Sequence, residues 1–336
     1  MEAFYLHGAR DLRLQEIDIP SLKADEVLVR IRATGICGSD LHYYEYFRNG
    51  DFIPKQPFVL GHESAGEIAD PGAFAERLPV GSRVAIDPSH PCRNCSYCVG
   101  GRYNLCTRMR YFGSAAYDPP VDGAFREYVP ARAENCHLIP EDMKFREAAL
   151  LEPLSIALHG VAQAGNIAGK RVLICGAGPI GQLLGLVTRH YGAARLMVTD
   201  LRPGVLKVAE RWADVGVPAD DPSQLDAAFD VVIEASGAAA ALTTAYERCG
   251  PGGTIVQLGI QTKPSLLPVN LVMQKELTVK GSFRFARMFA KAVDLLGRRK
   301  LDVTPLLSHG SDFFDLVRGF EAALAPDTLK VVVDYP

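Results

Sequence analysis

Hydrophobic and polar positions change rhythm about halfway along the chain. Through roughly the first 150 residues, apolar positions come in short runs separated by Gly and Pro: Val27-Leu28-Val29, Arg83-Val84-Ala85-Ile86 and Phe125-Arg126-Glu127-Tyr128-Val129. Runs this short, bounded by turn formers, predict β-strands in an irregular, β-rich region. From Glu147 onward Ala and Leu recur at helical spacing. After Gly169 the run Arg171-Val172-Leu173-Ile174-Cys175 predicts a buried strand, followed by a Gly-rich turn and a helix from Ile180 to Tyr191. Further strands are predicted over Arg195–Thr199, Asp230–Glu234, Thr254–Leu258 and Leu277–Lys280, with Ala-rich helical segments between them. Strands alternating with helices predict a parallel, doubly wound sheet. Beyond Arg287 the pattern offers a helix, a Pro-containing segment, another helix and a final strand, Leu329–Asp334. That piece is too small to bury a core alone, so it is expected to return to the first region. No internal repeat is visible.

Length and composition narrow the class. At 336 residues, 48% hydrophobic and 22% charged, the chain suggests two globular domains. A net charge of −3 gives no basic face for nucleic acid. The Met-Glu-Ala-Phe start lacks the basic and apolar regions of a secretory signal. No apolar run reaches the roughly 18 residues of a spanning helix, so neither nucleic acid nor membrane is an expected partner. A cytoplasmic setting is the expectation. Of eight cysteines, Cys92, Cys95, Cys98 and Cys106 crowd into 15 residues. Without a secretion signal, that density points to metal thiolates rather than disulfides.

Two local patterns carry chemistry. Cys175-Gly176-Ala177-Gly178-Pro179-Ile180-Gly181 holds a G-x-G-x-x-G pattern, weak alone but here set between a predicted strand and helix. Its glycines permit a tight turn and close approach of the backbone to a pyrophosphate, whose charge would sit on the helix N-terminus. Asp200, 19 residues after Gly181, closes the next strand and is placed to accept hydrogen bonds from ribose hydroxyls. A carboxylate there repels a 2′-phosphate and favours NAD, while nearby Arg202 softens the discrimination and leaves NADP admissible. A strand-to-helix turn without a ligand is the plain alternative. The spacing Cys92-x-x-Cys95-x-x-Cys98-x7-Cys106 is that of a closed tetrahedral thiolate site, hence a structural zinc. An iron–sulfur cluster and a nucleic-acid zinc ribbon are the competing readings.

A second group of ligand-type residues is scattered: Cys37 in Gly35-Ile36-Cys37-Gly38-Ser39-Asp40, His62 and Glu63 in Gly61-His62-Glu63, and Glu152 in Glu152-Pro153-Leu154. Each alone has a bland reading as a buried thiol or a turn. Their order with the four-cysteine lobe and the Gly-rich turn resembles the medium-chain zinc-dependent alcohol and polyol dehydrogenases from end to end. The resemblance implies a GroES-like β-barrel catalytic domain, 1–153 with 287–336, and a Rossmann NAD-binding domain, 154–286. It places Cys37, His62 and Glu152 at the catalytic-zinc positions, with Glu63 matching a residue that ligates directly in some conformational states. Two zinc ions per chain follow, one catalytic and one structural. A carboxylate at Glu152, where the alcohol dehydrogenases proper carry Cys, resembles the polyol branch and leaves the metal more Lewis acidic. Ser39 resembles the hydroxyl that begins the proton relay, and His42 is a candidate continuation.

The closer resemblance is to the sorbitol (L-iditol) and L-idonate 5-dehydrogenases. It rests on Leu41-His42-Tyr43-Tyr44, Met109-Arg110-Tyr111-Phe112-Gly113-Ser114-Ala115 and Gly281-Ser282-Phe283-Arg284-Phe285. It implies that Tyr43 and Arg284 contact substrate or cofactor. The carboxylate of a sugar acid would need a cation such as Arg110 or Arg284. The expected reaction is oxidation of L-idonate to 5-keto-D-gluconate. Sorbitol or xylitol oxidation is the alternative, and an inactive dinucleotide-binding zinc protein the alternative of another class. The resemblance also implies a homo-oligomer, dimer or tetramer.

Overall fold

Strand Glu26–Gly35 organises the first of two structural units, and nearly every residue in it is buried or half-buried. Three segments from distant parts of the chain pair with it antiparallel. Glu63–Asp70 runs along most of its length, with Gly35 opposite Glu63 and Leu28 opposite Asp70. Tyr128–Arg132 covers its first half, and Lys330–Asp334 joins its end with Val332 opposite Gly35. Arg83–Ile86 extends the sheet beyond Glu63–Asp70, and Cys136–Leu138 beyond that. On the other side Leu307–Asp312 lies parallel to Lys330–Asp334. A parallel pair needs a crossover, and helix Leu316–Ala323 provides it. A smaller sheet places Glu2–Gly8 between Asp11–Glu16 and Phe58–Val59. The apolar faces meet in one core that includes Val29, Ile31, Phe58, Ile86, Phe125, Phe320 and Val333.

The expected strand over 125–129 starts instead at Tyr128. Phe125 is buried, but its N–H donates to Leu60 and its carbonyl accepts from Phe4, so the chain there bonds along the smaller sheet before it joins the larger one at Tyr128.

The second unit is a six-stranded, wholly parallel sheet. Its spatial order is Val215–Pro218, Arg195–Asp200, Arg171–Cys175, Phe229–Glu234, Cys249–Gln257 and Thr278–Gly281. Counted along the chain this is 3-2-1-4-5-6, the order of a dinucleotide-binding Rossmann sheet, whose switch point lies between the first and fourth strands. Strands buried on both faces read as continuous apolar runs, which is why Arg171–Cys175 and Phe229–Glu234 stood out. Val215–Pro218 did not, because it holds Gly216 and Pro218 and only Val217 is fully buried.

The structure, a computed structural model, describes residues 1–261 and 264–336. Met1–Glu152, Phe289–Arg298 and Leu307–Pro336 form the first unit; Pro153–Met288 and Arg299–Leu306 form the second. The segment Arg299–Leu306, expected with the first domain, therefore groups with the second, where Leu301, Val303 and Leu306 are buried. No helix among the described residues is long and apolar enough to cross a membrane.

The helix Pro179–His190 packs closely enough to give a test. A Cβ on Gly185 would lie 2.3 Å from the Trp212 ring, whose Nε1 donates to Gln182 Oε1 at 2.7 Å. Gly-to-Ala in a helix normally stabilises by about 1 kcal/mol. Here overpacking against a pinned ring should win, and Gly185→Ala should lower stability by about 1–3 kcal/mol. Urea unfolding followed by fluorescence of the sole tryptophan, Trp212, reads this out.

Candidate active site and metal centres

Strand register assembles the buried centre of the first unit. Gly35 faces both Glu63 and Val332, so continuing past Gly35 brings Ile36 and Cys37 alongside His62 and Lys330. Ligand atoms of Cys37, His62 and Glu63 lie within 4.8 Å of one another, His62 and Glu63 buried and Cys37 half-buried. Asp40, fully buried, ties two of these segments together. One of its oxygens accepts the N–H of Cys37 at 3.0 Å, and the other accepts that of Gly61 at 3.1 Å and lies 3.6 Å from His62 Nδ1. Burial alone would lower the His62 pKa, but the negative charges of Asp40 and Cys37 outweigh it and hold the imidazole well above its ordinary value. A thiol, an imidazole and a carboxylate converging in a buried, negative site form a zinc-type donor set, and so fit that metal.

Glu152 is not one of that trio. It sits in the first turn of helix Leu151–Ala164, where its Oε1 accepts the Tyr111 hydroxyl at 2.6 Å. Burial pushes its carboxyl up to about 7, with Glu63 raising it further and the charge of His62 opposing. Tyr111 itself lies edge-on to His62, ring centroids 5.9 Å apart. The unit's two expected substrate contacts sit differently, Tyr43 within electrostatic reach of Asp40 and His62 and Arg110 at the surface. Tyr43 is buried at 1% exposure, and its phenol oxygen accepts the N–H of Ala115, which makes it a core residue bracing that loop. Arg110 precedes Tyr111 on a two-residue strand, and it is exposed where Tyr111 is buried. Alternation along a strand points it away from the Tyr111 side; its Nη2 makes a long 3.5 Å hydrogen bond to the Pro119 carbonyl. Ser39 is half-buried, and exposed His42 has Nδ1 3.3 Å from Asn49 Oδ1.

Cys92, Cys95, Cys98 and Cys106 also gather, their sulfurs within 4.8 Å of one another. Cys92 and Cys98 are 3.9 Å apart, Cys95 and Cys98 3.5 Å. Four metal–sulfur bonds of about 2.3 Å in a tetrahedron give edges of about 3.8 Å, so the thiols fit a zinc ion. Backbone N–H groups of Cys92 and Arg108 aim at Cys106 Sγ. The N–H of Asn94 pulls the Cys92 thiol down to about 6, while burial pushes Cys98 up to about 12, so free thiols would not ionise together. The lobe's apolar cluster holds little besides Met109, Tyr111, Tyr103 and the cysteines. A lobe so poor in core needs a cross-link.

In the second unit a cleft of about 530 Å³ lies at the switch point, lined by Gly176, Gly178, Asp200, Arg202, Ser236 and Thr244 among others. Gly176 has φ +104°, and a Cβ on Gly181 would lie 1.9 Å from the Gly176 carbonyl oxygen, so turn and helix close tightly. Gly178 caps helix Pro179–His190, Pro179 opens it and Ile180 follows, half-buried. The cradle and helix N-terminus fit a dinucleotide pyrophosphate. Glu234, which the sequence pattern did not single out, fixes the opposite loop by accepting the N–H groups of Ser236 and Gly237.

Asp200 departs from its expected state. Oδ1 accepts the N–H and Nε–H of Arg202 at 3.0 and 3.1 Å; Oδ2 accepts Ala177 N–H at 2.8 Å and Arg202 Nη2 at 3.3 Å. Despite burial, the Arg202 bonds hold its carboxyl below the usual range. All four lone-pair directions are engaged, so ribose hydroxyls would have to displace Arg202. Arg284 follows the last sheet strand with φ +52°, its guanidinium 4.7 Å from the Phe283 ring centroid.

Residues 23–141 match the family described as "Alcohol dehydrogenase GroES-like domain", and residues 179–298 the one described as "Zinc-binding dehydrogenase". "Probable D-xylulose reductase A" of Aspergillus clavatus is 36% identical over 98% of this chain and 96% of its own length. "Sorbitol dehydrogenase" of Bacillus subtilis is 34% identical over 100% and 97%. The crystal structure of L-idonate 5-dehydrogenase from Escherichia coli superposes with a TM-score of 0.93 at 36% identity, covering 99% of this chain and 97% of that one.

Proposed function

The chain belongs to the medium-chain, zinc-dependent polyol dehydrogenases, and on that premise we propose that it oxidises a secondary hydroxyl of an open-chain sugar acid, L-idonate first, to 5-keto-D-gluconate with NAD. The convergence of Cys37, His62 and Glu63 in one buried centre carries this reading. Cys37 and His62, with the carboxylates of Glu63 and Glu152 at hand, would hold the catalytic zinc; the four thiols would hold the structural one. Zinc supplies a Lewis acid that lowers the pKa of the substrate hydroxyl, and the nicotinamide supplies the hydride acceptor. The protein's own residues do the rest. Asp40 fixes the Cys37 turn against the His62 segment, and Tyr111 orients Glu152. Ser39 and His42 are three apart on helix Gly38–Tyr46, neighbours on one face, and offer the released proton a route from a half-buried position to solvent.

L-idonate rests on sequence motifs and on the likeness to the Escherichia coli enzyme. An uncharged polyol is the second reading. It is favoured by Arg110 pointing away from Tyr111 and by the names of the fungal and Bacillus relatives. Steady-state kcat/KM with NAD separates them. L-idonate should exceed xylitol and sorbitol by at least about tenfold, or roughly 1.4 kcal/mol in the barrier. Equal values, or a preference for xylitol, would hand the assignment to the polyols; no turnover by zinc-loaded protein would leave a dinucleotide-binding zinc protein.

Elemental analysis should find two zinc per chain. Cys37→Ser should lose one zinc and turnover while staying folded, whereas Cys106→Ser should lose the other zinc and melt earlier. One zinc in the wild type would contradict the division into two centres.

Arg202 gives the cofactor reading its own test. Released from Asp200 it would meet a 2′-phosphate, so NADP should bind alongside NAD. Arg202→Ala should weaken NADP by about tenfold or more, the scale of a lost charged hydrogen bond, and NAD by far less. Calorimetric titration that finds both nucleotides equally affected would remove Arg202 from that role.

We retain the expectation of a dimer or tetramer. Among the described residues Thr278–Gly281 ends the parallel sheet with one strand neighbour, and all four of its residues are exposed, an edge that invites pairing. Sedimentation velocity of the holoenzyme would show a monomer if that expectation is wrong.

A further inference from the structure

The four-cysteine lobe hangs on a narrow neck. The chain enters the lobe along Ser89–His90 and leaves it along Arg110–Tyr111, and the two stretches pair antiparallel, Ser89 opposite Tyr111 and His90 opposite Arg110. Cys92 lies just beyond one side of this neck and Cys106 just before the other. The entering side is fastened to the larger sheet. Asp87, next after strand Arg83–Ile86, accepts the N–H and the hydroxyl of Ser89 at 2.9 and 2.5 Å. The Asn135 amide donates to the carbonyls of Asp87 and Ser89 at 2.8 and 2.6 Å.

Tyr111 belongs to both metal-type centres at once. It is buried in the lobe's own apolar cluster with Cys106 and Met109, and Cys92, Cys95 and Cys98 pack against that cluster. Its ring also stands edge-on to His62, and its hydroxyl donates to Glu152 Oε1 at 2.6 Å. A hairpin of two residue pairs is marginal by itself, and the cluster behind it is small. The leaving side of the neck, which carries Tyr111, is therefore held in place by closure of the lobe. Groups that orient metal ligands from outside the coordination sphere change affinity by roughly 10–100-fold. We propose that Tyr111, through its phenol on Glu152, is the positioning residue by which closure of the four-cysteine lobe steadies the Cys37 centre, so that the two metals bind cooperatively. The proposal rests on the reading of both centres as zinc sites. It goes beyond that reading by making the structural metal a determinant of how tightly the catalytic one is held.

Competition of the full-length holoenzyme with a colorimetric chelator measures this. The cobalt-substituted protein separates the centres by spectrum, four thiolates against one. Tyr111→Phe keeps the ring in the lobe and removes the phenol donor. It should weaken the Cys37 centre by about tenfold and shift that centre's cobalt spectrum, leaving the four-thiolate bands unchanged. Cys106→Ser opens the lobe and should weaken the Cys37 centre by a similar factor. The double variant Cys106→Ser/Tyr111→Phe should be no weaker than the weaker single variant, because both changes act through one side chain. Factors that multiply in the double variant would overturn the proposal, and so would a Tyr111→Phe protein with wild-type affinity and spectrum at the Cys37 centre. Coupling is reciprocal, so emptying the Cys37 centre with Cys37→Ser should weaken the four-cysteine centre by a similar factor. An unchanged four-cysteine affinity there sinks the proposal even if Cys106→Ser does not fold. A wild type holding a single zinc per chain would overturn the metal reading itself, whereas two zinc ions that bind independently would overturn this inference alone.

Discussion

The register of Glu26–Gly35 against its neighbours is the constraint on which the first unit depends. Because side chains alternate along a strand, a slip of one residue would send every apolar side chain to the wrong face. Val27, Val29 and Ile31 are all buried in the core, which pins the register firmly. The same register places Gly35 opposite Glu63 and Val332 at once. The metal-type centre is thus assembled where three antiparallel segments run off the end of a sheet. Hydrophobic burial fixes the positions, and the polar chemistry occupies the end that burial leaves over.

The two cysteine-bearing sites are built on opposite principles. The four-cysteine lobe spans 15 residues and has almost no core, so a metal there would contribute folding energy directly. The Cys37 centre is tied together by hydrogen bonds of its own: Asp40 joins Cys37 to Gly61, Tyr111 holds Glu152, and Lys330 holds Glu63. One site is a clasp for its segment; the other has walls held by their own hydrogen bonds. Pre-organised walls of that kind suit catalysis, where ligands must not rearrange with each turnover.

What could be read in advance follows the same division. The Cys92–Cys106 cluster, the Gly176–Gly181 turn and the strands of the parallel sheet were legible because each is local, a spacing or an apolar run within a short window. Cys37, His62 and Glu63 were legible only as isolated short motifs, and it took strand register to bring them together. Lys330 was not legible at all: it opens the apolar run of the last strand and meets Glu63 267 residues away. Asp40 was visible inside its motif, but a buried carboxylate joining two backbone segments looks like any helix-cap residue until the second segment is seen. Tyr43 was ambiguous for the converse reason: its aromatic ring and hydroxyl suit either a substrate contact or a core brace, and the bond from Ala115 is visible only in the fold. Asp200 was correctly placed at the end of its strand, but its saturation by Arg202 depends on a side-chain rotamer, which no sequence pattern encodes.

A buried ion pair is a poor source of stability, because the desolvation of two charges offsets most of their attraction. Replacing Lys330 and Glu63 together with apolar residues would on that argument cost the fold little. The pair therefore calls for a reason other than stability, and its position supplies one. Two carboxylates, Glu63 and Glu152, lie at the same buried centre in different electrostatic settings. Glu63 is neutralised by an ammonium 2.8 Å from both of its oxygens, while Glu152 accepts the Tyr111 phenol and is pushed up to about 7 by burial. Where environments drive like groups apart in this way, the groups can take different roles. The strand register that fixes where the two carboxylates sit therefore also fixes how differently they are held.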